Sequence, residues 1–597
     1  MARPFLDVTC SATGRAWRDR LDDAGRAQAL AMVQQHGLDD VLARVLAGRG
    51  VNAASAMAFL TPRLRDLLPE PFSLVGMQQA VTRLADAIAR GETVAIFGDY
   101  DVDGATSAAL LAGFLARCGT PSRMHIPDRL IEGYGPNVEA IRSLAAAGAT
   151  LLVTVDCGTT SHEPVAEAQR LGMDTVVLDH HQAPEQLPDA LAIVNPNRQD
   201  DISGLGSLCA AGVVFVTLVA LNRELRRRGF WATHGGEPDL MAELDLVALG
   251  TVADVVPLVG LNRAFVRQGL AVMKGRGRIG LRALADVARL DGPPKPYHLG
   301  FLIGPRINAG GRIGDAALGA RLLLCDDETE ATRIAGELDR LNGERQAIEQ
   351  VMVAEAEAQA LASLGLDEDG APVVMVGSDG WHPGVVGLVA ARMKERFSRP
   401  AFAMAYAHDG TGTGSARSIP GVDLGRAVRA AVEQGLAQKG GGHAMAAGVT
   451  VTRDRVPALA AFLADRLGGE IERARADQSL AIDAAITASG ARSELLTKLE
   501  QAGPFGSGHP EPVFALPAHR LVEVAEVGRG HVRVKLKAGD GALINGIAFR
   551  AAGQPLGQML ARARGENAHI VGHLALDSWN GRDRVQVRIL DAAAPAR

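Results

Sequence analysis

Short apolar runs alternate with amphipathic segments from about residue 75 to residue 260. The apolar runs predict strands at 94–97, 151–155, 175–178, 192–194 and 246–249. The intervening segments have the periodicity of helices, and the clearest are 105–117, 138–147 and 163–171. Strands separated by helices need parallel crossover connections. This region therefore predicts an α/β fold with a doubly wound parallel sheet.

The pattern changes along the chain, and the changes predict five domains. They are a helical lead-in at 1–70, the parallel-sheet domain at 71–270, a linker region at 271–365, a second, glycine-rich α/β domain at 366–470 and a β-rich domain at 471–597. The linker region contains a charged, proline-free stretch at 328–364, which predicts a connecting helix of about 50 Å. Alternating runs in the last domain indicate antiparallel strands and a small barrel of the OB kind.

An acidic residue follows four of the apolar runs, either at once or within a few positions. These residues are Asp99, Asp156, Asp179 and Asp254. An aspartate after a strand is commonly a helix cap, but ligands in open α/β sheets bind beyond the carboxyl ends of the strands. Four carboxylates at one sheet edge therefore favour a binding site over four separate caps.

The sequence Gly-Asp-Tyr-Asp-Val-Asp-Gly at 98–104 adds carboxylates at alternate positions, Asp99, Asp101 and Asp103. Carboxylates this close raise each other's pKa unless a cation neutralises them. Oxygen ligands suit magnesium or manganese better than zinc. The pattern predicts a metal-dependent enzyme that acts on phosphate.

Composition narrows the class of protein. The chain has 597 residues, of which 47% are hydrophobic and 22% charged, and a formal net charge of −6, as expected of a multidomain globular protein. Its five cysteines form no Cys-x-x-Cys pair, which argues against a zinc ribbon and for a reducing compartment. No apolar run reaches the roughly 18 residues of a membrane span, so we expect a cytoplasmic protein without a membrane partner.

Four motifs together carry a resemblance to a known family. They are the acidic motif at 98–104, Thr-Val-Asp-Cys-Gly at 154–158, Val-Leu-Asp-His-His at 177–181 and Gly-Thr-Val-Ala-Asp at 250–254. The chain resembles the DHH phosphoesterase superfamily and, within it, the branch of bacterial single-strand-specific 5′→3′ exonucleases. The resemblance implies a DHH catalytic domain, a DHH-associated domain and a nucleic-acid-binding barrel. It also implies release of 5′-mononucleotides from single-stranded DNA in recombination and repair.

The resemblance implies a site with two divalent cations, Mn²⁺ or Mg²⁺. The implied ligands are Asp99, Asp101, Asp103, Asp156, His180 and Asp254. Asp156 would bridge the two ions, and which of Asp99 and Asp101 binds directly stays open. The implied catalytic residues are Asp156, His181 and Arg306, with His181 and Arg306 at the scissile phosphate.

Three further segments are implied to bind substrate. Arg306, Asn308 and Arg312 lie in the glycine-rich stretch 304–312, which the sequence predicts to be flexible. The alternative to substrate binding is that this stretch is only an interdomain loop. The implied pocket for the 5′-terminal phosphate consists of Arg129, Ser415 and Arg417, since arginine binds phosphate in a bidentate way. The glycine-rich turn predicted at 440–443 would offer the amides of Gly441 and Gly442 and the ring of His443, or serve only as a tight turn.

Two alternatives belong to the same superfamily. One is a phosphatase for oligoribonucleotides, nucleoside bisphosphates or pyrophosphate, but such relatives lack a C-terminal barrel. The other is a non-catalytic replication scaffold that has lost its metal ligands, whereas all six are present here. In the predicted barrel, Arg533, Lys535 and Lys537 lie on one face of a strand. The two interpretations are that they contact nucleic acid and that they belong to a hairpin with a purely structural role. Single-stranded DNA is the expected partner. The resemblance also implies a single-strand-binding protein and a helicase as partners.

Overall fold

The computed structural model describes residues 3–129, 131–364, 370–476, 478–528, 530–579 and 582–595. The strands are β1 (Ala16–Asp19), β2 (Val94–Gly98), β3 (Ser122–His125), β4 (Leu151–Val155), β5 (Asp174–Leu178), β6 (Ala192–Val194), β7 (Val374–Ser378), β8 (Ala401–Tyr406), β9 (Thr411–Arg417), β10 (Lys439–His443), β11 (Ala446–Thr452), β12 (Ser479–Ile482), β13 (Ala484–Ala485), β14 (Phe514–Val527), β15 (His531–Lys537), β16 (Leu543–Ala548), β17 (Asn567–Trp579) and β18 (Arg582–Ala593).

The α-helices are α1 (Asp23–His36), α2 (Asp40–Ala47), α3 (Ala56–Leu60), α4 (Leu64–Leu67), α5 (Met77–Arg90), α6 (Val102–Arg117), α7 (Val138–Ala146), α8 (His162–Arg170), α9 (Ala210–Arg227), α10 (Leu244–Ala253), α11 (Gly260–Lys274), α12 (Ile279–Val287), α13 (Pro296–His298), α14 (Gly304–Ile313), α15 (Leu318–Leu324), α16 (Glu328–Leu364), α17 (Val386–Phe397), α18 (Leu424–Glu433), α19 (Val456–Ala476), α20 (Ser493–Glu500) and α21 (Pro555–Arg562). A π-helical turn, Leu299–Ile303, joins α13 to α14. Within the described residues, no helix combines the length and the apolarity needed to cross a bilayer.

The predicted doubly wound parallel sheet is confirmed. Its strand order is β3-β2-β4-β5-β6, and all four pairings are parallel. Every residue of β2 and β4 is buried, as expected for strands covered by helices on both faces. The chain order reverses between β2 and β4, and ligands bind at such switch points in open α/β sheets. Asp99 and Asp156 follow these two strands.

Three local predictions are wrong. The run at 246–249 is not a strand but part of α10, because a short apolar run reads alike in a strand and in a buried helix. The stretch at 304–312 is not flexible but forms most of α14, whose glycines allow close contact with neighbouring backbone. The segment 440–443 is not a turn but lies in edge strand β10, and the chain reverses after it.

The predicted connecting helix is present as α16, whose 37 residues span about 55 Å. Its first half packs on α12 and α14, and it also packs on α17 of the second α/β domain. That domain contains a mixed sheet of order β10-β11-β9-β8-β7, in which only β7 and β8 are parallel. The helix therefore links the parallel-sheet domain to the second domain through shared packing.

The C-terminal strands form a closed five-stranded barrel, as predicted. The order is β14-β15-β16-β18-β17, and β17 closes the barrel by pairing with β14. In β15 the side chains of Val532, Val534 and Leu536 are buried, while Arg533 and Lys537 are exposed. The basic residues therefore share the outer face of this strand.

The described residues divide into two compact units. One unit contains Leu68–Val256 and Phe265–Asp477, and the other contains Met1–Leu67, Pro257–Ala264 and Gln478–Arg597. The N-terminal segment is more than a helical lead-in, since its strand β1 pairs in parallel with β12 beside the barrel. The proposed five-domain division thus differs from these units, in which residues 1–67 join the C-terminal domain.

Arg263 connects the three chain segments of the barrel-containing unit. Its buried guanidinium donates hydrogen bonds to the carbonyl oxygens of Phe59, Gln501, Ala502 and Gly503. It also lies 3.9 Å from the centroid of the Phe59 ring. A buried cation with several carbonyl acceptors holds the segments together only as long as those acceptors stay in place.

Candidate active site

Carboxylates from three parts of the chain converge around one histidine. The Nε2 atom of His180 lies 3.2 Å from Asp156 Oδ1, 3.7 Å from Asp254 Oδ2 and 3.8 Å from Asp103 Oδ2. Asp99, Asp101 and Asp156 form a second group whose ligand atoms lie within 4.8 Å of one another. The structure thus brings all six residues implied as metal ligands into two adjoining groups.

Backbone geometry fixes the carboxylates locally. Asp101 is the N-cap of α6 and accepts hydrogen bonds from the amides of Asp103 and Gly104. Asp103 accepts hydrogen bonds from Ala210 N and Ala211 N, at 2.6 and 2.9 Å, at the start of α9. Helix N-termini favour negative charge, so two helices hold these carboxylates in place.

Burial and mutual repulsion dominate the electrostatics of the cluster. Burial, followed by repulsion from neighbouring carboxylates, raises the pKa of Asp99 and Asp156, and it raises the pKa of Asp254 to about 9. Asp99 Oδ1, Asp156 Oδ1 and His180 Nε2 are buried without a hydrogen-bond partner among the described residues. Buried acceptor atoms that lack donors fit a cation, which would satisfy them and favour the ionised carboxylates.

Asp179 has a different role from the other acidic residues. Its carboxylate accepts hydrogen bonds from the amides of Thr159, His180 and His181 and from His181 Nδ1 at 2.8 Å. Although burial opposes the effect, the bonds from His181 and Thr159 hold the pKa of Asp179 below its usual range. Asp179 therefore orients the two histidines rather than joining the cluster.

His181 lies at the edge of the cluster as a charged donor. Burial lowers its pKa, but Asp179, Asp254 and Asp99 outweigh burial and raise it to about 9. The Tyr134 hydroxyl lies 3.3 Å from His181 Nδ1 and 3.4 Å from the Asp156 carbonyl oxygen. The raised pKa favours the protonated ring of His181, which can donate to an anion.

Sequence reasoning missed three residues that shape this edge. Asn195 donates to the His181 carbonyl oxygen and Asn197 to that of His180, while Tyr134 contacts His181 directly. Asn195 and Asn197 follow β6, so their place at the carboxyl edge of the sheet was a usable signal. Tyr134 lies in a loop, and its sequence neighbourhood carries no comparable signal.

Three half-buried arginines, Arg129, Arg312 and Arg417, form a cationic group beside the acidic motif. Burial, followed by repulsion from Arg129, Arg345 and Arg417, lowers the pKa of Arg312 to about 10. Burial and Arg129 also lower the pKa of Arg417. The guanidinium of Arg129 lies 5.1 Å from the centroid of the Tyr100 ring. Cations held this close to one another fit a bound anion.

The second α/β domain completes this cationic group. Arg417 donates to Ser415 Oγ at 3.0 Å, and Arg312 donates to the Gly384 carbonyl oxygen at 3.0 Å. A Cβ on Gly387, in the first turn of α17, would lie 3.1 Å from Ser415 Oγ and 3.3 Å from Arg417 Nη2. The glycine thus brings the positive end of a helix next to the serine and the arginine.

The glycine-rich strand β10 lies close to the histidine pair. Burial, followed by the charges of His181, Arg429 and His180, lowers the pKa of His443. Gly442 has a φ of 145°, and a Cβ there would lie 2.3 Å from the Ala446 carbonyl oxygen. Gly441 has no heavy atom within 4 Å of the position of a Cβ, so the space that a side chain would occupy there is open.

Arg306 and Asn308 lie on α14 with Arg312. Arg306 donates to Asp339 Oδ1 at 2.9 Å and to the Leu302 carbonyl oxygen at 2.7 Å. It therefore connects α14 to α16 and is not brought to the carboxylates. Asn308 is half-buried on the same helix.

Comparison with known proteins identifies the class. The profile of the DHH family, N-terminal domain, matches residues 93–251, the DHHA1 domain matches 370–469 and the RecJ OB domain matches 482–591. The fold and the carboxylate cluster are thus those of a DHH-type protein with a DHHA1 domain, and the resemblance noted in the sequence is confirmed.

Similar proteins define the family more closely. The single-stranded-DNA-specific exonuclease RecJ of Dickeya dadantii is 40% identical over 86% of this chain and 89% of that protein. RecJ of Bacillus subtilis is 32% identical over 97% of this chain and 70% of that protein. The crystal structure of Thermus thermophilus RecJ in complex with Mn²⁺ has a TM-score of 0.77 and 30% identity, and covers 96% of this chain and 78% of that one. The chain belongs to the RecJ family.

Proposed function

We propose that this protein is a metal-dependent exonuclease that hydrolyses single-stranded DNA in the 5′→3′ direction and releases 5′-mononucleotides, in recombination and repair. The observation that carries the proposal is the placement of a carboxylate–histidine cluster beside a half-buried group of arginines. Relatives with the same domains are named as single-stranded-DNA-specific exonucleases, which supports the substrate.

The carboxylate cluster would hold two divalent cations, Mn²⁺ or Mg²⁺. Similar RecJ structures from Thermus thermophilus contain Mn²⁺ or Mg²⁺. The proposed ligands are Asp99, Asp101, Asp103, Asp156, His180 and Asp254. The unpartnered buried atoms of three of them, Asp99, Asp156 and His180, fit this role. Bound there, the cations would lower the pKa of water and neutralise the charge that develops on the phosphate.

The protein's own residues orient and stabilise the phosphate. His181, held by Asp179 and protonated at neutral pH, would donate a hydrogen bond to a non-bridging oxygen at the scissile bond. The amides of Gly441 and Gly442 and the ring of His443 would approach the strand from the second α/β domain. Arg306 would have to leave Asp339 to reach the phosphate, so in this arrangement it positions α14.

The arginine group explains the proposed polarity. Arg129, Arg417 and Ser415 would bind the 5′-terminal phosphate, and Arg312 and Asn308 would contact the first nucleotides. A strand anchored at its 5′ end presents one particular bond to the carboxylate cluster. Binding of a terminal phosphate thus selects both the end and the position of cleavage.

Contacts with the sugar-phosphate backbone of the DNA would supply most of the remaining affinity for the strand. The exposed Arg533 and Lys537 and the half-buried Lys535 between them form a basic stripe on the barrel that fits phosphate groups, and such binding weakens with salt. We further propose a cytoplasmic protein that takes single strands from a single-strand-binding protein and a helicase. We also propose that the chain has five domains, at 1–70, 71–270, 271–365, 366–470 and 471–597.

Digestion of end-labelled single strands tests the activity. We expect a 5′ label to appear at once as a mononucleotide and a 3′ label to be released only at the end, with Mn²⁺ or Mg²⁺ and not with a chelator. Release of the 3′ label first contradicts the polarity. Cleavage of di- and trinucleotides without cleavage of long strands favours a phosphatase of the same superfamily.

The variant Arg129→Gln tests the end-binding pocket. Because a charge-assisted hydrogen bond to phosphate contributes about 1.5–3 kcal/mol, we expect the preference for 5′-phosphorylated over 5′-hydroxyl strands to fall by about tenfold or more. The control is Arg282→Gln, which removes an exposed ion pair with Glu328. An unchanged preference in Arg129→Gln would exclude this residue from the pocket.

A further inference from the structure

Tyr297 and Phe301 form an exposed pair of stacked aromatic rings. The rings of Tyr297 and Phe301 are 5.0 Å apart with an interplanar angle of 24°. Tyr297 is 58% exposed and Phe301 is 68% exposed. Leu299, which lies between them in the sequence, and Ile303, which follows them, are buried. The buried residues anchor the turn, and the rings contribute little to the core.

Phe301 lies in the π-helical turn Leu299–Ile303, and Tyr297 lies in α13 directly before it. A Cβ on Gly300 would lie 3.6 Å from Val252 Cγ1, and a Cβ on Gly304 would lie 3.6 Å from Ala253 Cβ. The turn therefore packs directly against the end of α10, which carries Asp254. Single π-helical turns are rare and frequently occur at functional sites.

Helix α14 defines the position of the pair relative to the arginine group. At its N-terminal end Gly304 contacts Ala253, and at its C-terminal end a Cβ on Gly311 would lie 2.7 Å from the Tyr100 carbonyl oxygen. Its ten residues span about 15 Å. The aromatic pair thus lies at the Asp254 end of α14, and the arginine group lies at the Tyr100 end, with acidic ligands at both.

We propose that Tyr297 and Phe301 form a stacking platform for bases of the single strand on the 3′ side of the scissile bond. The inference rests on the proposed function, since it assumes a strand anchored at the arginine group. Such a strand passes the carboxylate cluster and emerges at the end where the rings are exposed.

Stacking on aromatic rings suits this place chemically. Every base has a π-face, so the platform binds any sequence, as an exonuclease without base preference requires. Lys274 and Arg276 line a cavity of about 300 Å³ with Leu299 and Ile303, the buried residues of the same turn, whereas neither ring lines it.

An abasic scan of the wild-type protein tests the platform without a substitution. A 5′-phosphorylated 20-mer carries one tetrahydrofuran abasic site, moved stepwise from the 5′ end, and binding is measured by fluorescence anisotropy in a chelator, which prevents hydrolysis. We expect affinity to fall by about five- to tenfold at one or two adjacent positions downstream of the first nucleotide. A scan that is flat beyond the first nucleotide overturns the proposal.

Variants assign the effect to the two rings. We expect Tyr297→Ala/Phe301→Ala to bind the intact strand about tenfold more weakly and to lose the position-dependent abasic effect. Phe301→Trp should retain the effect, and Phe301→Leu, which keeps an apolar side chain without a ring, should reduce it. Persistence of the abasic effect in the double variant assigns it to other residues and contradicts the proposal.

The two proposals fail in different ways. If end-labelled strands are not degraded although the abasic scan shows the expected minimum, the proposed function is wrong and the platform remains. If strands are degraded from the 5′ end while the double variant matches the wild type in binding, the platform is wrong and the exonuclease remains.

Discussion

Asp156 adopts a left-handed backbone conformation, with φ of 61°, immediately after β4. Such a conformation is costly for a residue with a Cβ and persists only where the surroundings impose it. The buried carboxylate lies in the centre of the cluster, within 3.2 Å of His180 Nε2. The strained backbone therefore directs this one side chain toward the proposed cation sites.

The variant Asp156→Asn is expected to retain the fold and lose hydrolysis. Asparagine adopts the left-handed region readily, so the backbone is preserved, whereas the charge and one acceptor are lost. We expect the rate of hydrolysis to fall by more than about 100-fold, the scale at which even outer-sphere partners of metal ligands act. Strand binding in a chelator should change little.

The control for this variant is Asp189→Asn, which changes a carboxylate outside the cluster. The rate of mononucleotide release and the strand affinity are measured for both variants. Substantial activity in Asp156→Asn would contradict a central role for this carboxylate. An equal loss in both variants would indicate a general effect on the fold.

At the scale of elements, α6 begins against the backbone of the acidic motif. Gly104 lies in its first turn, and a Cβ there would lie 2.3 Å from the Asp99 carbonyl oxygen. No side chain fits this gap, so the glycine permits the close approach that places Asp99, Asp101 and Asp103 together. Gly113 in the same helix has only an ordinary contact at 3.8 Å from Leu324.

Alanine at these two glycines should therefore have opposite effects. We expect Gly104→Ala to destabilise the protein by about 1–3 kcal/mol and to lower activity by displacing Asp99. Gly113→Ala should stabilise it by about 0.5–1 kcal/mol, because alanine favours a helix interior. Urea unfolding and the rate of strand hydrolysis check both. Equal stability of the two variants would contradict the proposed close approach.

The sequence predicted elements where periodicity was unambiguous. The helix at 328–364 and the four buried strands at 94–97, 151–155, 175–178 and 192–194 correspond to α16, β2, β4, β5 and β6. The strand at 246–249 was wrong because α10 is buried on all sides between α6 and α9 and carries no polar face. Uniform apolarity removes the signal that distinguishes a helix from a strand.

The site could be predicted in part for a related reason. Residues that follow strands are placed by topology alone, so Asp99, Asp156 and His180 could be expected at one edge. Contacts across chain segments carry no local signal, and neither the pairing of Arg306 with Asp339 nor the contact of Tyr134 with His181 was predicted. Their roles depend on helix packing and loop placement.

At the scale of the whole molecule, the barrel-containing unit is assembled from distant parts of the chain. His509 is buried in this unit, and its Nε2 lies 2.8 Å from the Ala502 carbonyl oxygen. It stacks on Phe505, and the charges of Arg263 and Arg49 face it. Burial, followed by these cations, lowers the pKa of His509 to about 4.

This pKa predicts a pH dependence of stability. Below the ordinary value of 6.5, the unfolded chain binds a proton that the folded chain does not. His509 should therefore reduce the free energy of unfolding as the pH falls from about 6.5 to about 4, and contribute no further change below that. At about 1.4 kcal/mol per pKa unit, the contribution is at most about 3.5 kcal/mol.

The variant His509→Gln isolates this contribution. Glutamine retains a donor for the Ala502 carbonyl oxygen but does not titrate, so its stability should decrease less than that of the wild type between pH 6.5 and 4. Urea unfolding across this range provides the measurement, and His408→Gln, at an exposed histidine, is the control. Parallel pH profiles for wild type and His509→Gln would refute the prediction.

The pairing of β1 with β12 has a consequence for synthesis on the ribosome. Ala16 of β1 pairs with Ser479 of β12. Strand β1 therefore cannot form this pairing until β12 has been synthesised, more than four hundred residues later. At about 5–20 residues per second, this delay is roughly half a minute to a minute and a half. During that time the nascent N-terminal segment exposes an unpaired strand edge, which makes it a client for chaperones and a target for proteases until translation is nearly finished.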